Sequence, residues 1–305
     1  GPVSTAVTLT VMDRIADADV VEISPADHDD ISSVADRRHR YFRTSAPMVL
    51  QAQLLAAVVA DDGVQRVALV AARDPYGDAF SGALAKALAR AGIQVVTTRH
   101  YDPKASSFDG DATAVADAKP DAVIVAGFEE SSSVLASLVE HHVGPRDVKV
   151  YGVDGNMRPT LAEGVPPGAL ASMKGTVPLV DVPEDFRQRL LDVDGSLTTF
   201  ESSAESYDAV VLLALATIAN GSDGGAGVAR SLIDVSRRGT RCTTFAACAA
   251  LLRDHKDIDY DGASGAIDLD DDGDPTVASF GIRQFTSDGK LLTLEYRTAG
   301  PSSAG

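Results

Sequence analysis

Between Arg66 and Thr97 the chain reads RVALVAARDPYGDAFSGALAKALARAGIQVVT, and this stretch limits the fold more than any other. Val67 to Ala72 is a short, nearly continuous apolar run, the pattern of a strand buried on both faces. Pro75 and Gly77 end it. From Asp78 onward, Phe80, Leu84 and Leu88 recur at helical spacing with Ala83, Ala87 and Ala91 beside them. Gly92 is a helix-stopping residue, and Ile93 to Thr97 reads as a second strand. Strand, helix and strand with short joints require a parallel sheet and a right-handed crossover. Ligands of such sheets sit beyond the carboxyl ends of the strands, which makes Arg73-Asp74-Pro75-Tyr76-Gly77 a place to look for function.

The same α/β rhythm continues. Helical patterns run from Val7 to Ile15, Pro47 to Ala60, Phe108 to Ala118 and Ser131 to Val143. Strands are expected at Val20 to Ser24, Ala122 to Ala126 and Lys149 to Val153, with Gly1 to Thr5 a turn, Ala26 to Asp30 a loop and Tyr41 to Thr44 a connector. Three successive strand ends thus offer Tyr76, Phe128-Glu129 and Asp154 on one rim of one sheet. After Pro178 the helical patterns dominate: Glu184 to Leu191, Ala204 to Asn220, Ala226 to Ser236 and Phe245 to Arg253. Gly265 to Leu294 then alternates apolar and polar residues around Asp272-Gly273-Asp274-Pro275 and Ser287-Asp288-Gly289, a hairpin or meander. The end from Thr298 has a flexible composition.

At 305 residues there is room for one large α/β domain or two lobes. A net charge of -17 argues against nucleic acid or an anionic membrane surface, since both demand clustered Lys and Arg. The longest apolar segment, Ala209 to Ala219, is too short to cross a bilayer, and no signal peptide opens the chain. The two cysteines, Cys242 and Cys248, have no zinc-ligand spacing and are not a redox C-x-x-C pair. They read as a small disulfide loop or as two unrelated buried thiols; the loop is favoured and would place the protein outside the cytoplasm.

Several motifs have bland readings. Asp268-x-Asp270-x-Asp272-Gly273 matches the opening of a calcium loop, but its twelfth position is Ser279 rather than a bidentate Glu, so a solvated hairpin turn fits better. His141 and His142 are adjacent and face different directions, which disfavours a metal site. No phosphate loop, nucleophile elbow or H-E-x-x-H is present, and nothing places the Ser, His and Asp residues as a triad. Acidic residues after strands, such as Glu129 and Asp154, are commonly N-caps; an Asp154 aimed into a cleft would instead suit an ammonium group.

Taken together, GPVST, VVEISPA, YFRT, RVALVAARDPYGDAF, AVIVAGF, KVYGVDGN, AESYDAVVLLALA and GIRQFTSDG occur in the order seen in type I periplasmic binding proteins. The chain resembles the branched-chain amino-acid-binding proteins of ABC transporters from Gly1 to about Glu295. The resemblance implies an α/β fold of two lobes, each a parallel sheet flanked by helices, joined by three crossings and closing on a ligand. Residues 1–45 with 179–280 would form the first lobe, 46–178 with 281–297 the second, and 298–305 a flexible tail. Family members carry a signal sequence and a strand-helix-strand-helix stretch before GPVST, so the first lobe is expected to be incomplete at its N-terminus.

The resemblance also assigns residues. Ser4 and Thr5 match the segment that meets a ligand carboxylate at a helix N-terminus. The next contact loop reads Ala26-Asp27-His28, a departure from the usual Thr or Ser, and Asp27 would repel a carboxylate unless turned away. Tyr76 matches the aromatic of the D-x-Y-G loop, and Phe128 and Glu129 fall where aromatics cover the ligand. Asp154 matches the acid that holds the α-ammonium, and Tyr207 an aromatic of the cleft or hinge side. The resemblance therefore implies an extracytoplasmic solute-binding protein, periplasmic or a cell-surface lipoprotein. It would deliver a small amino acid or related amide to an ABC transporter permease, with no cofactor, no metal and no catalysis. The alternatives are a sensor domain for amides or amino acids, or an α/β enzyme with an unidentified nucleophile.

Overall fold

The computed structural model describes residues 1–2, 4–28, 31–32 and 38–300. The expected opening turn, the loop at 26–30 and the tail each reach residues outside that set. In chain order the elements begin with α1 (Thr5–Asp17), β1 (Glu22–Ile23), β2 (Tyr41–Phe42), α2 (Met48–Asp61), β3 (Arg66–Ala72), α3 (Pro75–Arg90) and β4 (Gln94–Tyr101). Next come α4 (Asp109–Ala118), β5 (Ala122–Ala126), α5 (Ser131–Glu140), β6 (Lys149–Gly152), a 3-10 helix at Pro159–Gly164 and β7 (Lys174–Pro178). The rest comprises α6 (Glu184–Val193), α7 (Ser203–Asn220), α8 (Gly225–Val235), β8 (Thr240–Cys242), α9 (Phe245–Arg253), β9 (Ile258–Gly262), β10 (Gly265–Ala266), β11 (Ala278–Phe285) and β12 (Leu291–Ala299). These divide into two compact units. Gly1–Leu50, Leu179–Ser279 and the chain from Thr298 form unit 1; Gln51–Pro178 and Phe280–Arg297 form unit 2.

Unit 2 holds a seven-stranded sheet in the order β12-β11-β7-β6-β5-β3-β4. Strands β4, β3, β5, β6 and β7 pair in parallel, and β11 adds antiparallel to β7. The central strands are buried on both faces, as their unbroken apolar runs require: every residue of β5 is buried, and every residue of β3 after Arg66. Alternate residues Ala68, Val70 and Ala72 of β3 join Val123 and Val125 of β5 in a cluster with Val115 of α4 and Leu135 and Leu138 of α5. Val67, Leu69 and Ala71 are equally buried on the opposite face. The helix expected from Asp78 starts earlier, at Pro75, because Asp74 accepts a hydrogen bond from the Gly77 amide at 2.8 Å and Pro75 occupies a position whose missing N–H costs nothing. Gly92, at φ +75°, ends it.

At the amino edge of this sheet Asp62 accepts hydrogen bonds from Lys174 Nζ at 2.7 Å and from the Tyr151 hydroxyl at 2.7 Å. Burial alone would raise its carboxyl pKa, but the bonds from Lys174 and Tyr151, with the charges of Lys174 and Lys149, hold it below the usual carboxylate range.

Among the described residues of unit 1 the strands form two small sheets. β1 and β2 pair in parallel with Glu22 opposite Tyr41 and Ile23 opposite Phe42. The Tyr41-Phe42 segment is thus a strand rather than a connector: two aromatics at 1% and 2% exposure can bury their backbone only if its polar groups are paired. β8 pairs parallel and β10 antiparallel with β9. Leu212, Leu215 and Ala216 of α7, Val228 and Leu232 of α8, and Ile258 and Tyr260 of β9 share one core with Cys242 and Cys248. Those cysteines form a disulfide that ties β8 to α9. The Asp268–Asp274 run is a turn closed by a Leu269–Pro275 bridge, with the Asp270 carboxylate accepting from the Asp272 and Asp274 amides. Among the described residues no group of three or more His, Cys, Asp or Glu side chains is placed to hold a metal. β12 takes in Thr298 and Ala299, the first two residues of the expected tail.

The least ordinary feature of unit 1 is Arg43, whose side chain is fully buried. Its Nε donates to Asp274 Oδ1 at 2.7 Å and Nη2 to Asp274 Oδ2 and Ser32 Oγ, while Nη1 reaches the carbonyls of Ala26 and His28. Breaking such a network leaves a buried charge without its counter-ion. Arg43→Ala is therefore expected to cost about 3–5 kcal/mol in urea denaturation. Lys290→Ala, which removes an exposed ion pair with Asp288, should leave the midpoint unchanged. Asp62 gives a pH test. Its folded pKa lies below the unfolded value of about 4, so its contribution is present above that pH and is lost as pH falls through the depressed folded value. Asp62→Asn should lower stability at pH 7 and flatten the acid limb of the stability–pH curve below about pH 4. An acid limb of unchanged slope would refute this.

Candidate functional site

The strand order places β3 with β4 on one side and β5 on the other, so the chain leaves the carboxyl ends of β3 and β5 in opposite directions. That divergence opens the crevice in which doubly wound sheets bind their ligands. Tyr76 follows β3, Phe128 follows β5 and Asp154 follows β6, and the structure brings these three side chains together. The Tyr76 hydroxyl donates to Asp154 Oδ1 at 2.7 Å, and the Tyr76 and Phe128 ring centroids are 5.0 Å apart. Tyr76 also stacks at 5.9 Å on Phe80, which is fully buried in α3. The result is a carboxylate with fixed rotation beside two aromatic faces, one of them, Phe128, 42% exposed. Such a group suits a cation: the carboxylate supplies charge and each ring face adds quadrupolar attraction.

Each loop is held by residues with no chemical role of their own. Asn156, only 2% exposed, donates to the Val125 carbonyl at 2.8 Å and accepts from the Val153 amide at 2.9 Å, pinning the Asp154 turn to β5. A Cβ on Gly155 would strike the Gly127 carbonyl, so the two loops touch backbone to backbone. Glu130 Oε1 accepts from both the Tyr101 hydroxyl at 2.8 Å and the Phe128 amide at 3.0 Å. Burial and the neighbouring Glu130 charge push the Tyr101 hydroxyl pKa well above the usual tyrosine value, which keeps it a donor. Glu129, by contrast, turns to Thr160, whose hydroxyl lies 3.1 and 3.2 Å from its carboxylate oxygens.

In unit 1, Ser4 is the N-cap residue of α1; it is exposed and its side chain makes no capping bond. Thr5 begins the helix. Ala26 is buried and His28 half-buried in the loop after β1, where their carbonyls are taken by Tyr41 and Arg43. Ser24 joins the two segments: its hydroxyl donates to the Pro2 carbonyl and accepts from the Ala26 amide at 3.3 Å. Tyr207 lies in a different cluster, edge-on to Phe186 at 5.3 Å with the Arg189 guanidinium 5.5 Å from its ring. Sequence reasoning does not single out Ser24, Arg43, Tyr101, Glu130 or Asn156. The available signal is weak: a polar residue inside YFRT, and a second acid beside Glu129.

A Ser–His–Asp array does occur in unit 2. His100 Nδ1 is 2.9 Å from Asp78 and Nε2 is 3.3 Å from Ser81 Oγ. Its surroundings are structural. Ser81 is 6% exposed and its hydroxyl donates to the Asp78 carbonyl at 3.1 Å, so its proton is engaged with the backbone. It sits beyond the first turn of α3, where amides are used within the helix and cannot form an oxyanion site. The array fastens the edge strand β4 to α3.

The family model for periplasmic binding proteins matches residues 1–290. The chain belongs to the periplasmic binding protein family. That membership makes it an extracytoplasmic binding protein, and no single helix among the described residues is long and apolar enough to cross a membrane. Comparison with curated proteins finds no match. Solved structures share the fold. A leucine binding protein from Thermotoga maritima aligns at TM-score 0.74 and 18% identity, over 99% of this chain and 79% of that one. The branched-chain amino acid transporter substrate binding protein of Streptococcus pneumoniae, in complex with isoleucine, aligns at TM-score 0.70 and 15% identity, over 99% and 78%. A solute binding protein of an ABC transporter from R. palustris, in complex with benzoate, aligns at TM-score 0.69 and 15% identity, over 99% and 78%.

If Asn156 holds the Asp154 turn, Asn156→Ala leaves the buried Val153 amide and Val125 carbonyl without their partner. The expected cost is about 1–3 kcal/mol in urea denaturation, with faster hydrogen exchange at the Val153 amide. Unchanged exchange there would mean that the turn is held by something else.

Proposed function

We propose that this periplasmic binding protein binds a small amino acid of the branched-chain type, or a related amide, without chemical turnover and for delivery to an ABC transporter permease. The two units act as the lobes of the resemblance. The observation that carries the reading is the Asp154 carboxylate, oriented by the Tyr76 hydroxyl at 2.7 Å and flanked by the Phe128 ring. An α-ammonium placed there gains an opposite charge and two aromatic faces. Ser4, Thr5, Ala26 and His28, which the resemblance assigns to the ligand carboxylate, lie in unit 1, where Ser4 and Thr5 open α1, a helix of 13 residues. Glu129, bonded to Thr160 in unit 2, and Tyr207, beside Phe186 in unit 1, are further candidates that the resemblance assigns. The same acid disfavours an aromatic carboxylate such as the benzoate of the R. palustris protein, which brings no ammonium for Asp154 to meet.

A thermal-shift panel of leucine, isoleucine, valine, their amides and benzoate finds the ligand, because a molecule that binds only the folded state raises the melting point. Asp154→Ala should then weaken binding of the best amino acid by roughly 2–5 kcal/mol in calorimetry. Asp271→Ala, on the exposed turn where Asp271 pairs with Arg237, should leave affinity unchanged. Equal affinity of Asp154→Ala and the parent chain, or benzoate bound more tightly than every amino acid, would overturn this assignment.

A further inference from the structure

Phe128 meets the Tyr76 ring at 5.0 Å yet stands well exposed. It lies in the short link between β5 and α5 and is 42% exposed. What fixes its peptide is polar. Glu130 stands at the N-cap position of α5, yet its side chain makes no capping bond to that helix. It folds back instead, and one oxygen, Oε1, accepts from the Phe128 amide at 3.0 Å and from the Tyr101 hydroxyl at 2.8 Å. Tyr101 is 1% exposed at the end of β4 and is braced edge-on by the Phe108 ring at 5.5 Å, so it is a rigid anchor. The space around this oxygen is closed: a Cβ on Gly127 would collide with the Tyr101 hydroxyl and come within 2.7 Å of Glu130 Oε1. A carboxylate accepts such bonds more strongly than a neutral group.

We propose that Glu130 is the positioning residue of Phe128: it locks the Phe128 peptide to the buried Tyr101 and so sets where the ring stands for the ligand. The ligand consequence rests on the amino-acid reading of the site. A ring face attracts an ammonium only over a narrow range of distance and direction, so a loosened Phe128 loses affinity for an amine-bearing ligand. Glu130 does not touch the ligand; it acts through Phe128.

The positioning is tested without any ligand. The chain contains no tryptophan, so Phe128→Trp introduces a sole reporter at the ring position. Adding Glu130→Ala should raise acrylamide quenching and lower the anisotropy of that indole. Glu130→Gln should change neither, because the amide oxygen can accept both bonds, and Tyr101→Phe should fall between the two. Melting curves identify any variant that does not fold, and Tyr101→Phe carries the test if Glu130→Ala is one. With L-leucine as the probe in the native background, Glu130→Ala should weaken binding about tenfold and Glu130→Gln less than about twofold. In a Phe128→Ala background, Glu130→Ala should cause no further loss, a coupling that a merely structural role would not produce. An indole equally quenched in the presence and absence of the Glu130 carboxylate overturns the proposal, as does a Glu130→Gln variant as loose as Glu130→Ala. A loosened indole in a chain that binds none of leucine, isoleucine, valine or their amides supports the positioning and sinks the ligand reading instead.

Discussion

Parallel strands cannot be joined by a tight turn, and this constraint organises unit 2. Each strand must hand its chain to a helix at the same edge of the sheet, so the links after β3, β5 and β6 accumulate there whatever their sequence. The pairing registers of β3 with β5 and β5 with β6 then fix how far apart those links emerge. Tyr76, Phe128 and Asp154 are 26 or more residues from one another in sequence, and meet because three strand ends stand side by side. The local chemistry only refines that meeting: Asp74 caps α3 and aims its first turn, Asn156 folds the Asp154 turn back on β5, the glycine at 155 lets the two links touch, and the glycine at 127 leaves room for the Tyr101 hydroxyl.

Unit 1 solves a comparable problem with charge instead of register. Its two-stranded sheet is too short to hold the Ala26–His28 loop by ladder hydrogen bonds. The loop carbonyls are gathered instead by a buried arginine, whose planar fork reaches the carbonyls at 26 and 28, a serine and a carboxylate from the distant turn at Asp274. A point-like ammonium could not span those acceptors, which is a physical reason for arginine rather than lysine at this position.

Much of unit 2 is legible in the sequence because its signals are local. Continuous apolar runs mark β3 and β5, the apolar period marks α3, and Gly92 marks its end; the rim formed by Tyr76, Phe128 and Asp154 follows from strand polarity alone. β7, β8 and β9 are not legible. They are three to five residues long, carry glycine or exposed polar residues, and become strands only because a neighbour already presents an edge. Tyr41-Phe42 reads as a connector for the same reason. The supporting side chains are harder still. Nothing within YFRT says that its arginine is buried, since the carboxylate that neutralises it lies 231 positions away. Nor does Glu129-Glu130 reveal which acid serves the site, because that depends on Tyr101 arriving from another strand.

The division of the chain also bears on the order in which its parts can form during synthesis. The parallel strands of unit 2 are complete by Pro178, but β11, which covers the edge of β7, begins only after the whole of Leu179–Ser279. At about 5–20 residues per second on the ribosome, that edge waits roughly 5–20 seconds for its partner. In that interval β7 offers unpaired backbone to any other nascent strand. The glycine in β7, and the Lys174 that Asp62 already holds at its start, make it a poor template for such pairing. The helix-rich insertion must therefore emerge while its host sheet is still open on one side, and a chain halted before Phe280 would release an unclosed sheet to the folding machinery of the cell.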